Sequence, residues 1–155
     1  MTLRWLLAAL HLLALGLGLG GIWARSRALA GPLDATGLKR VFAADNWWGI
    51  AALLWIVTGV ARLLSSLEKP RTYYFHNYFF HLKMTAFLVI FLLELWPMIT
   101  FIQWRIAVRH GRTPNTSRAR TFSRISALQA ALLVVMVLAA TAMARGMGEF
   151  SDAIP

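Results

Sequence analysis

The apolar positions of this chain come in long continuous runs, with neither strict alternation nor a single helical stripe. Four stretches, residues 3–23, 43–64, 79–104 and 125–144, are predominantly apolar. A helix crossing a hydrocarbon core of ~30 Å needs about 20 such residues, so each stretch predicts a membrane-spanning helix. The segments between them are short and polar, with turn chemistry at Gly31-Pro32, Lys69-Pro70 and Thr113-Pro114-Asn115. No separate soluble domain has room to form. The expected fold is all-α, one integral membrane four-helix bundle over residues 1–155.

Composition agrees: 59% of the 155 residues are hydrophobic and the mean hydropathy is +0.61. With no cysteine, the chain has no disulfides, thiolate metal sites, iron–sulfur clusters or cysteine nucleophiles. Sixteen Lys and Arg against six acids give +10, which in so apolar a chain reads as a topology signal and a grip on anionic headgroups, not as a nucleic-acid footprint. Nothing resembles a phosphate loop, a catalytic triad or a zinc signature, which speaks against a hydrolase or nucleotidyl enzyme.

Ala28-Leu29-Ala30 followed by Gly31 imitates a signal-peptide cleavage site. The apolar run before it exceeds the usual ~7–15 residues of a signal core, and Arg25 and Arg27 intervene, so the first helix is expected to be retained. Ten basic residues lie in the odd connections: Arg25, Arg27, Lys39 and Arg40, then Arg105, Arg109, Arg112, Arg118, Arg120 and Arg124. The opposite side holds five, Arg4, Arg62, Lys69, Arg71 and Arg145. This asymmetry predicts both termini outside and connections 24–42 and 105–124 in the cytoplasm. The helical spacing of Arg105, Arg109 and Arg112 predicts an extended third helix with its charges on one face, toward the headgroups.

An ionisable side chain at membrane depth costs roughly 2.5–3.5 kcal/mol on insertion scales, so His11, Asp45, Lys83 and Glu94 each need a partner or a purpose. Asp45, at the start of the second apolar run, is expected to cap that helix. Glu94 lies well inside the third helix and should face the bundle, satisfied by Arg124 or a hydroxyl, or else serving a function. Lys83 and Glu94 fall on nearly the same helical face but ~16 Å apart along the axis, too far to pair. Pro97 removes a backbone bond and is expected to bend the helix near Glu94. Gly16, Gly18, Gly20 and Gly21 in the first helix, with Gly49, Ala52 and Gly59 in the second, predict close helix packing.

The stretch Tyr73–Lys83, YYFHNYFFHLK, reads as an interfacial aromatic belt carrying polar members. His76 and His81 are about 140° apart on a helix and His81 and Lys83 about 200°, so the stretch is no compact chelating motif. His11 lies ~12 Å inside the first helix. Such a histidine commonly hydrogen-bonds a neighbouring helix, yet His11 and His81 enter from the same side, the minimum geometry for a porphyrin held between two helices.

His11, Ala44-Asp45 followed by Gly49, Tyr73-Tyr74-Phe75-His76-Asn77 running into Lys83-Met84, Trp104-Arg105 and Met143-Ala144-Arg145-Gly146 occur in this order along nearly the whole chain. That order and spacing resembles the family of predicted bacterial membrane proteins called domain of unknown function 2214. The resemblance implies a fold and no established activity. More faintly, His11 with His81-Leu82-Lys83 is similar to the small four-helix, haem-associated protoporphyrinogen oxidases of bacterial membranes, and copper-resistance membrane proteins share part of the pattern. That likeness implies His11 as a haem ligand and His81 or Lys83 near the tetrapyrrole.

Three functional expectations follow. The first is an inner-membrane protein binding haem b or another tetrapyrrole near the outer face and acting in membrane redox or tetrapyrrole chemistry. Its ligands would be His11 with His81 or His76, Lys83 would lie nearby, and Arg4, Arg62 or Arg71 would meet the propionates. The second is an accessory or scaffold subunit that packs against larger membrane partners or a second copy of itself. The third is a small transporter or proton path using Asp45, Lys83 and Glu94, which at this length would have to dimerise.

Overall fold

A computed structural model of the chain describes residues 2–65 and 74–148. Four helices follow in order: α1, Thr2–Ala30; α2, Ala35–Ser65; α3, Tyr78–Arg109; and α4, Ala119–Ala144. All four are long and apolar enough to cross a membrane, and the chain is a multi-pass membrane protein with an all-α four-helix bundle. The Lys69-Pro70 turn lies outside the described residues.

The helices extend past the apolar runs because capping is supplied further out. Asp34, not Asp45, starts α2, its Oδ1 accepting the amide of Gly37 at 2.7 Å. A Cβ on Gly37 would collide with the carbonyl oxygen of Pro32, so this tight entry requires glycine. Asn77 starts α3, its Oδ1 accepting the amide of Phe79 at 2.9 Å. Pro97 is accommodated inside α3, which continues unbroken to Arg109. Gly111, with φ +67, turns the chain toward α4, so Arg112 lies beyond the helix.

Around the bundle, α1 packs between α2 and α4, and α4 packs against α3. Gly21 brings α1 against the backbone of α2, since a Cβ there would lie 3.0 Å from the amide nitrogen of Trp48. Ser26 and Ser123 tie α1 to α4 by donating reciprocally to each other's carbonyl oxygens, both at 2.9 Å. Gly16, Gly20 and Gly49 meet no neighbour, so only part of the expected small-residue packing is used. Two apolar cores result. One gathers Ile22, Trp48, Ala86, Ile90, Ala130, Leu133 and Met136. The other gathers Leu29, Leu38, Val41, Phe101, Trp104, Ala119 and Phe122 near the α1–α2 and α3–α4 connections.

Exposed aromatic rings mark two levels. Trp23, Trp47 and Trp96 are all exposed, as are Trp5 and Tyr78. Trp5 to Trp23 and Tyr78 to Trp96 are each 18 residues of helix, about 27 Å. That separation matches the ~30 Å hydrocarbon thickness, with the rings at headgroup level. The first core lies between the two ring levels, and the second lies on the α1–α2 and α3–α4 side of the Trp23, Trp47 and Trp96 level.

Candidate functional site

At the boundary between the two cores all four helices contribute to one ionic hub. Arg25 is 0% exposed, and each of its five N–H donors finds an acceptor. Nη1 donates to Asp45 Oδ1 at 2.8 Å and Glu94 Oε1 at 2.6 Å. Nη2 donates to Glu94 Oε2 at 2.7 Å and Gln129 Oε1 at 3.0 Å, and Nε to Ser126 Oγ at 3.1 Å. The planar fork of arginine makes this set possible where a lysine could not. Gln129 Nε2 donates in turn to Glu94 Oε2 at 2.9 Å and the carbonyl of Ile90 at 3.2 Å.

A second arginine completes the hub. Arg105 Nη2 donates to Asp45 Oδ2 at 2.8 Å and the carbonyl of Phe42 at 3.1 Å, with its guanidinium 4.7 Å from the Phe42 ring centre. The Arg25 guanidinium lies 5.9 Å from the Trp48 ring centre and 5.4 Å from that of Phe101. Two cations and two carboxylates cancel, so the bundle carries no net charge at this level. A buried charge is tolerated when it is paired and its hydrogen bonds are complete.

Three expectations change here. Asp45 is no cap: it sits ten residues into α2 and bridges two arginines. Glu94 is held by Arg25 and Gln129, while Arg124 is exposed. Arg105 turns inward to Asp45 and away from the headgroups. Arg25, Ser126 and Gln129 escaped the sequence reading, because Arg25 counted as a connection residue once the helix was ended at Trp23. A signal existed: His11, Ala14, Gly18, Ile22 and Arg25 recur at three and four residues, one continuous helical face.

Toward the other membrane surface, His11 forms a second polar station. Its Nδ1 lies 2.9 Å from Thr58 Oγ1, and its ring stacks on Trp55 at 5.4 Å. Thr58 Oγ1 has one proton, which it donates to the carbonyl of Leu54 at 2.7 Å. It can therefore accept from His11 Nδ1–H, which in the neutral imidazole would leave the lone pair on Nε2. Gly59 permits the approach, since a Cβ there would stand 3.3 Å from His11 Cε1.

Between hub and histidine lies a cavity of about 70 Å³, lined by Ala14, Leu15, Gly18, Trp48, Ala51, Ala52, Trp55, Ile56, Phe87, Ile90, Phe91, Glu94 and Leu133. It opens where α2 and α3 part, with the exposed side chains of Ile56 and Phe91 at its rim. The Nε1–H of Trp55 is buried without a hydrogen-bond partner, although a buried polar group is normally satisfied.

The other sequence candidates stand apart from this axis. His76 lies in the turn before α3 and is exposed; His81 is exposed, with Nε2 3.0 Å from the carbonyl of Phe75. Lys83 and Arg62 are half-buried and both are engaged by neighbours. Arg71 and the side chain of Arg4 lie outside the described residues. Among the described residues no group of three or more His, Cys, Asp or Glu could hold a metal ion.

No curated protein and no solved structure matches the chain significantly. The family described as predicted membrane protein, DUF2214, matches residues 3–148, nearly the full length, and the chain belongs to that family.

Proposed function

We propose that this protein binds a neutral, membrane-dissolved molecule in the cavity between α2 and α3, the ionic hub closing the cavity at its inner end. The observation that carries the reading is a cavity of about 70 Å³ whose accessible lining is wholly apolar, with the buried, unpartnered Nε1–H of Trp55 behind that lining. Leaving such a donor unsatisfied costs about 1–3 kcal/mol, and a ligand acceptor would recover it once the Trp55 ring turns its edge to the cavity. A cavity of this kind favours a slender apolar body over water or an ion. The ligand class is therefore a lipophilic molecule with a carbonyl acceptor, as in a prenylated quinone.

Protein in nanodiscs of defined quinone content, repurified and extracted with organic solvent, tests this. Wild type is expected to retain quinone; Ala51→Leu, which fills the cavity, to retain none; and Trp55→Phe to bind about tenfold more weakly, the worth of one hydrogen bond. Retention equal in all three would end the proposal.

A tetrapyrrole is the second reading, favoured by the His11 hydrogen bond to Thr58, which in the neutral imidazole would turn the iron-ligating lone pair to Nε2. In the present arrangement the residues do not fit a porphyrin. His81 is at the surface, apart from His11, and a cavity of about 70 Å³ admits only one end of a slender molecule, not a whole macrocycle. A Soret band in haem-supplemented protein, lost in His11→Ala, would support this reading; its absence from the parent would end it. We further propose a bacterial inner-membrane location with both termini outside. With Arg25 and Arg105 neutralised in the hub, eight exposed basic residues remain on the α1–α2 and α3–α4 side, still the larger share.

A further inference from the structure

A second groove, of about 630 Å³, lies between the outer face of α3 and the α3–α4 connection. Its floor is the row Trp96, Thr100, Gln103 and Ala107, spaced four, three and four residues apart and so on one face of the helix. Over this floor the connection folds back, bringing Arg112, Thr113 and Ser117 to the rim and placing the Arg118 guanidinium 5.2 Å from the Trp96 ring centre. Asn115 holds the bend by accepting the amide of Ser117 at 3.0 Å. Arg118 occupies the N-cap position of α4, and no side chain caps that terminus.

Level and chemistry together identify an occupant. Trp96 belongs to the exposed ring of tryptophans at the membrane surface, so the groove begins at headgroup depth and rises from it. On the membrane side of Trp96 the α3 surface is apolar and exposed at Val89, Leu92 and Leu95. The groove thus offers two cations and hydroxyl donors, next to a surface suited to an acyl chain. Arginine forks suit phosphate oxygens.

We infer that this groove binds the phosphate headgroup of an anionic glycerophospholipid, with Arg112 and Arg118 as its counter-ions. The site does not depend on the quinone reading, since it shares no side chain with the cavity between α2 and α3.

Native mass spectrometry of full-length protein released from nanodiscs of equal phosphatidylglycerol and phosphatidylcholine tests the site. Wild type is expected to retain one phosphatidylglycerol in preference to phosphatidylcholine. The double variant Arg112→Gln with Arg118→Gln is expected to lose that retention on the order of tenfold, while Lys39→Gln with Arg40→Gln, the same charge removed from the exposed face of α2, retains it. Equal losses in the two double variants would reduce the effect to diffuse charge attraction and overturn the site. No preference for phosphatidylglycerol would overturn it as well. Displacement of the lipid by millimolar inorganic phosphate would overturn the lipid assignment in favour of a free-phosphate site. Circular dichroism on both double variants checks that the helices persist.

Discussion

Arg25 concentrates the physics of this protein in one side chain. Removing it leaves Glu94 and one oxygen of Asp45 facing low dielectric with their strongest partner gone. Arg25→Met is expected to destabilise the bundle by about 3–5 kcal/mol, read as the shift of an SDS unfolding titration in mixed micelles. Arg25→Lys should rescue little of it, because an ammonium has three donors for the five acceptors that Arg25 serves. Combining Arg25→Met with Glu94→Gln should recover part of the loss, since the orphaned charge disappears with its partner. Simple additivity of the two single effects would show that the hub is not one coupled unit. In the sequence Glu94 announces itself as an acid inside an apolar run, while Arg25 resembles any basic residue at a helix end. Only the fold tells the two kinds of arginine apart.

The glycines give an element-scale contrast on one helix. Gly21 faces the α2 backbone so closely that a methyl group would make that backbone give by a few tenths of an ångström, whereas Gly20, its neighbour, meets nothing. Gly21→Ala is expected to cost about 1–3 kcal/mol by forcing α1 from α2. Gly20→Ala should be neutral or stabilising by up to about 1 kcal/mol through helix propensity. Equal effects in the same unfolding titration would contradict the assigned helix face. At the start of α3, Asn77 both caps the helix and, through Nδ2, donates to the carbonyl of Met147 at 2.9 Å, while the Tyr78 amide donates to Gly148 O at 2.8 Å. The segment after α4 is thereby strapped to the beginning of α3. Asn77→Ala removes the cap and the side-chain bond of the strap, leaving the Tyr78 amide bond to Gly148, and is expected to cost about 1–2 kcal/mol, with faster hydrogen exchange confined to the first turn of α3. Exchange rising uniformly along the helix would argue for a global effect instead. Nothing local in Asn77 predicts the strap, because its partner is 70 residues away.

For the molecule as a whole, the aromatic belts and the surviving basic excess make a topology that is simple to test, because the natural chain has no cysteine. Single cysteines at exposed Lys39 and Arg112 are expected to resist a membrane-impermeant maleimide in intact cells and to react after permeabilisation. One at exposed Met147 should react in both cases. The reverse pattern would invert the orientation and place the phospholipid groove on the outer leaflet.

Run length and hydrophobicity alone determined four membrane helices and an all-α bundle, because the bilayer sets a fixed length of apolar chain and satisfies no backbone group itself. The intramembrane acids, the histidine in α1 and the aromatic belt were equally legible, since each is a local departure from an apolar background. Tertiary structure decided which of these residues meet. It moved Asp45 from a cap to a bridge, brought Arg25 and Arg105 to the acids, and recruited Gln129 and Ser126. It also put an apolar cavity between His11 and Glu94. Pairing of this kind depends on the rotation and offset of whole helices, which are set by close contacts such as Gly21 on Trp48, so no single helix carries the information.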